Sequence, residues 1–139
     1  MFFKGYSKVF STKDNEQYKL IGDFWDEMTL KYRIDDLRGL GFNWTDTTIE
    51  YVIGFKNNQK FNCSNLHWKE IVLPDVGWEK VEGKIENLEN IYNDIYKISA
   101  LEYEIELFNA DGTCNILYIR DNQGNGWVVI SNYVVNIKL

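Results

Sequence analysis

Proline and histidine are almost missing from this chain: Pro74 and His67 are the only ones in 139 residues. One histidine without a matching cysteine or carboxylate spacing does not make a metal site, so His67 is expected on the surface. Cysteine is scarce as well. Cys63 and Cys114 stand far apart and in neither a CxxC nor a CxxH setting, which in an intracellular chain predicts free thiols. No G-x-S-x-G, no phosphate-cradling glycine loop and no Cys-His pairing for nucleophilic attack is present, and Gly124-Asn125-Gly126 reads as a turn. Nothing in the sequence calls for a cofactor. Basic residues are outnumbered, 15 Lys and Arg against 21 Asp and Glu, for a net charge of -6. That balance works against gripping a phosphate backbone, which excludes nucleic acid as a direct partner. No apolar run approaches the length of a membrane span, and Met1 to Lys8 lacks the apolar stretch and cleavage site of a signal peptide. The expectation is a cytoplasmic protein with no membrane role.

Aromatic residues are plentiful, at 16% of the chain, with five Trp and nine Tyr. Large flat side chains with polar tips suit pockets and interfaces as well as cores. With 45% hydrophobic and 26% charged residues, the composition is that of an ordinary folded domain, and the length fits one domain over 1–139.

Tyr6 to Phe10 alternates as a short strand, and Asp14 with Gln17 fits a capping box. From Glu16 to about Lys31, Tyr18, Ile21, Trp25 and Met28 recur at helical spacing and predict a first helix. Arg33 to Thr47 has no steady period and reads as a loop, with a short helical turn at Asp35 to Arg38. Thr48 to Phe55 is a strand. Trp68 to Leu73 forms another, closed by Pro74, and Trp78 to Val81 a further one. Ile85, Leu88, Tyr92 and Ile95 form an apolar stripe that predicts a second helix from Gly83 to about Ile98. Leu101 to Phe108 and Cys114 to Arg120 then read as strands joined through Asp111-Gly112, and Trp127 to Leu139 as β-like. In each half a strand leads to one helix and then to further strands. This predicts an α+β domain: two β-α-β-β units joined in one antiparallel sheet, both helices on one face and a groove between them.

The run Ile71-Val72-Leu73-Pro74 to Gly83, followed by Ile85 to Tyr96, resembles the GyrI-like, AraC-type effector-binding family, here without a DNA-binding part. Glu106-Leu107-Phe108 is similar to the Glu-x-Tyr strand of that family, Phe24-Trp25 to its first-helix Trp, and Tyr51-Val52-Ile53-Gly54 to its Tyr-x-hydrophobic-Gly strand. The resemblance covers about 6–120 and leaves 121–139 as a C-terminal β extension, able to cover a sheet edge, meet a second subunit or partner, or fill the groove. It departs from the family after the second helix, where Lys97 to Ala100 runs almost directly into the next strand.

The resemblance implies a domain that senses or sequesters an amphipathic or cationic small molecule. Glu106 is then the central carboxylate, with Trp25, Tyr51, Trp78, Tyr92 and Tyr96 around it. Two other roles follow from the same family: hydrolysis of strained electrophilic compounds by a pocket Glu with a Tyr, and inhibition of a protein such as gyrase through the acidic surface. In the strand from Leu101 to Phe108, a period of two puts Glu102, Glu104, Glu106 and Phe108 on one face. A desolvated carboxylate there pairs strongly with a cation, and aromatic faces add cation-π attraction.

Overall fold

The computed structural model describes residues 1–62 and 67–121, and the backbone of a three-residue strand at 135–137. Seven strands and two helices form an α+β unit: β1 (Phe2–Ser11), α1 (Gln17–Thr29), β2 (Leu37–Phe42), β3 (Thr48–Phe55), β4 (Trp68–Val72), β5 (Trp78–Lys84), α2 (Leu88–Tyr96), β6 (Leu101–Phe108) and β7 (Thr113–Arg120). The strands make one antiparallel sheet in the order β4-β1-β3-β2-β6-β7-β5, with the short strand β8 (Val135–Ile137) paired to β5. The rest of the expected β-like stretch from Trp127 to Leu139, and Cys63, lie outside the described residues. No helix among the described residues is long and apolar enough to cross a membrane.

The alternation along each strand separates two apolar layers. On one face Tyr6, Tyr51, Ile53, Phe108 and Cys114 meet Phe24, Trp25 and Met28 of α1, while Ile116, Tyr118 and Leu101 meet Tyr92 and Ile95 of α2. Both helices therefore pack on the same side. The opposite layer is built from Phe3, Leu40, Phe42, Val52, Leu73, Trp78, Ile105 and Leu117. Glu50 is buried there among Ser7, Asn43 and Lys69, at 2.6, 3.0 and 2.7 Å.

Two sequence expectations are corrected. Leu37 to Phe42, read as part of a loop, is the central strand β2, because its pairing with β3 and β6 outweighs the absence of a regular side-chain period at Gly39 and Gly41. The capping box does not form. Asp14 and Asn15 take φ of 54° and 58° in a turn ahead of α1, and no side chain caps the helix. The β6-β7 hairpin turns where expected, with Gly112 at φ 89° and its amide donating to Asn109 O at 3.0 Å.

Candidate functional site

Glu104 and Glu106 project from β6 toward the helices, and both are buried, at 6% and 5% exposure. Register explains how they fit. Gly41 stands opposite Glu104 and Gly39 opposite Glu106, so β2 offers bare backbone beside each carboxylate. A Cβ at Gly41 would lie 2.7 Å from Glu104 Oε1, and one at Gly39 would collide with the Tyr51 hydroxyl.

A cavity of about 290 Å³ opens above this pair, between α1 and α2. Trp25, Trp44, Tyr92, Tyr96, Glu104 and Glu106 are among the residues that line it. The Trp25 indole N–H donates to the Tyr51 hydroxyl oxygen at 2.8 Å, and Tyr51 in turn donates to Glu106 Oε1. Tyr92 donates to Glu106 Oε2 at 2.8 Å, and Tyr96 to Glu104 Oε2 at 3.1 Å. The Tyr92 and Tyr96 rings stack with centroids 5.7 Å apart, and Trp25 meets Phe108 edge-on at 5.0 Å. Each side chain that aims at a carboxylate is thus itself held by a second ring.

Of the six residues singled out from the sequence, Glu106, Trp25, Tyr92 and Tyr96 line the cavity. Tyr51 is fully buried one hydrogen bond behind it and positions Glu106. Trp78 is not brought there. It packs in the opposite layer near Tyr103, with its indole N–H donating to Pro74 O at 2.8 Å, because on β5 it alternates with Glu79 and Val81, and Val81 faces α2. Glu104 and Trp44 were not singled out. Glu104 is two residues from Glu106 and so shares its face, a signal present in the sequence; Trp44 reaches the cavity from the segment after β2, which no periodicity marks. His67 is exposed, as expected, and no group of His, Cys, Asp and Glu suited to a metal occurs among the described residues.

Burial, and then the charge of Glu106, hold the Glu104 carboxyl well above the usual carboxylate range. Burial also raises Glu106, although the Tyr51 and Tyr92 hydroxyls oppose the rise. Burial and the neighbouring carboxylates push Tyr51, Tyr92 and Tyr96 upward, so the three hydroxyls stay protonated donors. A carboxyl whose pKa is higher folded than unfolded binds more protons in the native state. It therefore favours folding at low pH, and that contribution is lost as pH rises from the unfolded value, about 4.3, through the raised folded value. Glu50 works in the other direction. Burial pushes it up, but hydrogen bonds from Lys69, Ser7 and Asn43 outweigh this and hold it low, so its contribution is lost as pH falls through its folded value. Glu104→Gln is accordingly expected to flatten the loss of stability as pH rises above the unfolded carboxyl value of about 4.3, read from urea unfolding midpoints. An unchanged pH slope in the variant would contradict the assignment.

No family model matches this chain, and no curated protein or solved structure matches it.

Proposed function

We propose that the protein is a small-molecule-binding domain, a sensor or a sequestering protein, that holds amphipathic cationic ligands in an aromatic groove between α1 and α2 with Glu106 at its centre. One observation carries this reading: Glu106 is almost fully buried in the wall of the cavity, and no Lys, Arg or His among the described residues lines that cavity. A carboxylate taken out of water without a partner is costly, so a cation that enters and pairs with it gains what the empty site lacks. Trp25, Tyr92 and Tyr96 add ring faces for cation-π attraction.

The strand order supports reading the chain as two β-α-β-β units. β1-β3-β2 and β5-β7-β6 each run first, third, second, and the two sets meet where β2 pairs with β6. That arrangement is in keeping with the resemblance to the GyrI-like effector-binding family. A hydrolase is the second reading, favoured by the raised pKa of Glu106. It ranks second because the Tyr51 and Tyr92 hydroxyls bonded to Glu106 oppose the rise in its pKa and so make it a weaker base than burial alone would.

Trp25 and Trp44 in the cavity wall make intrinsic fluorescence the natural probe. Titration with a panel of cationic and neutral amphipathic compounds is expected to give saturable quenching by cations. Glu106→Gln should weaken that quenching by about tenfold or more, the range for losing a charge-assisted contact. Quenching that is equally strong in Glu106→Gln, or absent for every compound, would overturn the reading and shift attention to a protein partner.

A further inference from the structure

Four glutamates are buried among the described residues: Glu50, Glu79, Glu104 and Glu106. Two carry their own counter-ion. Lys69 sits 2.7 Å from Glu50, and Arg120 sits 3.2 Å from Glu79. Glu104 and Glu106 have none among the described residues, and those that line their cavity add a third acid, Asp26, and no basic side chain. Among the described residues, the buried glutamates are therefore paired with a base everywhere except in the cavity.

The wall also holds buried acceptors. Glu104, nine-tenths buried, accepts from Tyr96 at Oε2, with the Tyr92 hydroxyl also in hydrogen-bonding reach, and no base among the described residues pairs with it. Gln17 Oε1, in the wall on the α1 side, is buried without a donor among the described residues. The Tyr92 and Tyr96 hydroxyls are already committed, Tyr92 to Glu106 with Glu104 beside it and Tyr96 to Glu104. An occupant that pairs with Glu104, Glu106 and Gln17 Oε1 brings N–H donors, which a quaternary ammonium does not have. Two residues apart on one strand, the glutamates are offset by about 6.6 Å along β6, room for two separate nitrogen centres.

We propose that the cavity takes an amphipathic ligand with two N–H-bearing cationic centres, of the diamine or bis-amidine class, one held by Glu106 and the other by Glu104. This rests on the cation-binding reading of the same site. Glu104 is then the residue that sets specificity, since a monocation leaves it without a partner. Around the pair stand Tyr18 and Asp26 on α1, Tyr92 and Tyr96 on α2, Tyr51 on β3 and Cys114 on β7. None of these carries positive charge, so no described residue of the wall competes with the second cation.

The test is isothermal titration calorimetry with 1,3-bis(aminomethyl)benzene, benzylamine and the bis(trimethylammonium) analogue of the first. The diamine is expected to bind wild-type protein at least about tenfold more tightly than benzylamine, and the quaternary analogue to lose most of that advantage. In Glu104→Gln the ratio between the two amines should close to about twofold. Repeating the wild-type titrations in two buffers of different ionisation enthalpy gives a readout that needs no variant. The diamine should release more protons than the monoamine, because filling the site ionises both carboxyls. Equal affinities and equal proton release for the two amines, with Glu106→Gln still weakening both, would overturn the two-cation proposal and leave the simpler cation site standing. If no amine binds the wild type, the cation site fails, and this proposal fails with it.

Discussion

Arg120→Met is expected to cost about 3–5 kcal/mol of unfolding free energy, the usual consequence of leaving a buried charge without its partner. Arg120 and Glu79 side chains are only 3% and 11% exposed, and their charges meet at 3.2 Å. Burial raises the Glu79 pKa and Arg120 works against that rise, so Glu79 depends on the guanidinium to remain ionised. The same guanidinium donates through Nη1 to Ile95 O at 2.9 Å and to Ser99 Oγ at 3.2 Å, at and just beyond the end of α2. Its loss uncovers buried acceptors as well as a buried acid. Urea unfolding measures the cost. The double variant Arg120→Met with Glu79→Gln should recover part of it, because no bare charge then remains. A single variant within about 1 kcal/mol of wild type would show that water or rearrangement takes over the role of Arg120. Because α2 carries Tyr92 and Tyr96, a loosened end of α2 should also weaken amine binding by the surviving folded protein.

Gly39→Ala is expected to be costly at a site where alanine normally suits a strand no worse than glycine. A Cβ there would overlap the Tyr51 hydroxyl and stand 2.9 Å from Trp25 Cζ2. Neither ring can swing aside easily, since Tyr51 is fully buried and tied to both Trp25 and Glu106. Overpacking of this kind costs about 1–3 kcal/mol. The functional loss should exceed the loss of stability, because the shift moves the hydroxyl that fixes Glu106. In a Tyr51→Leu background the worse collision is gone and Trp25 loses the bond that holds it, so Gly39→Ala should then cost less. Additive effects of the two substitutions would mean that the strain lies elsewhere.

The hairpin at Asp111-Gly112, the strand Thr48–Phe55 and the helix bearing Trp25 were legible because each depends on local chemistry. A glycine takes positive φ, β-branched residues run together, and apolar side chains recur every three or four positions. The shared face of Glu104 and Glu106 is local too, since it follows from the two-residue period of a strand. β2 was not legible, for the reason that makes it useful: Gly39 and Gly41 leave space beside the carboxylates and thereby erase the side-chain pattern that announces a strand.

What the sequence determined by itself is the α+β alternation, the acidic balance and an aromatic supply large enough to line a cavity. Tertiary structure alone decided which aromatics are used. Tyr92 and Tyr96 are brought to β6 by the docking of α2, Tyr51 is set behind Glu106 by the β2-β3 register, and Trp78 is turned to the opposite layer by its phase along β5. Tertiary structure also decided which buried acids meet a base. Lys69 reaches Glu50 and Arg120 reaches Glu79 across neighbouring elements, whereas no base among the described residues reaches Glu104 or Glu106. The physical reason is one of range: backbone preference and periodicity act over a few residues and are written in the local sequence, while the partner of a charge or a hydroxyl is fixed by strand order and helix docking, which bring together residues far apart along the chain.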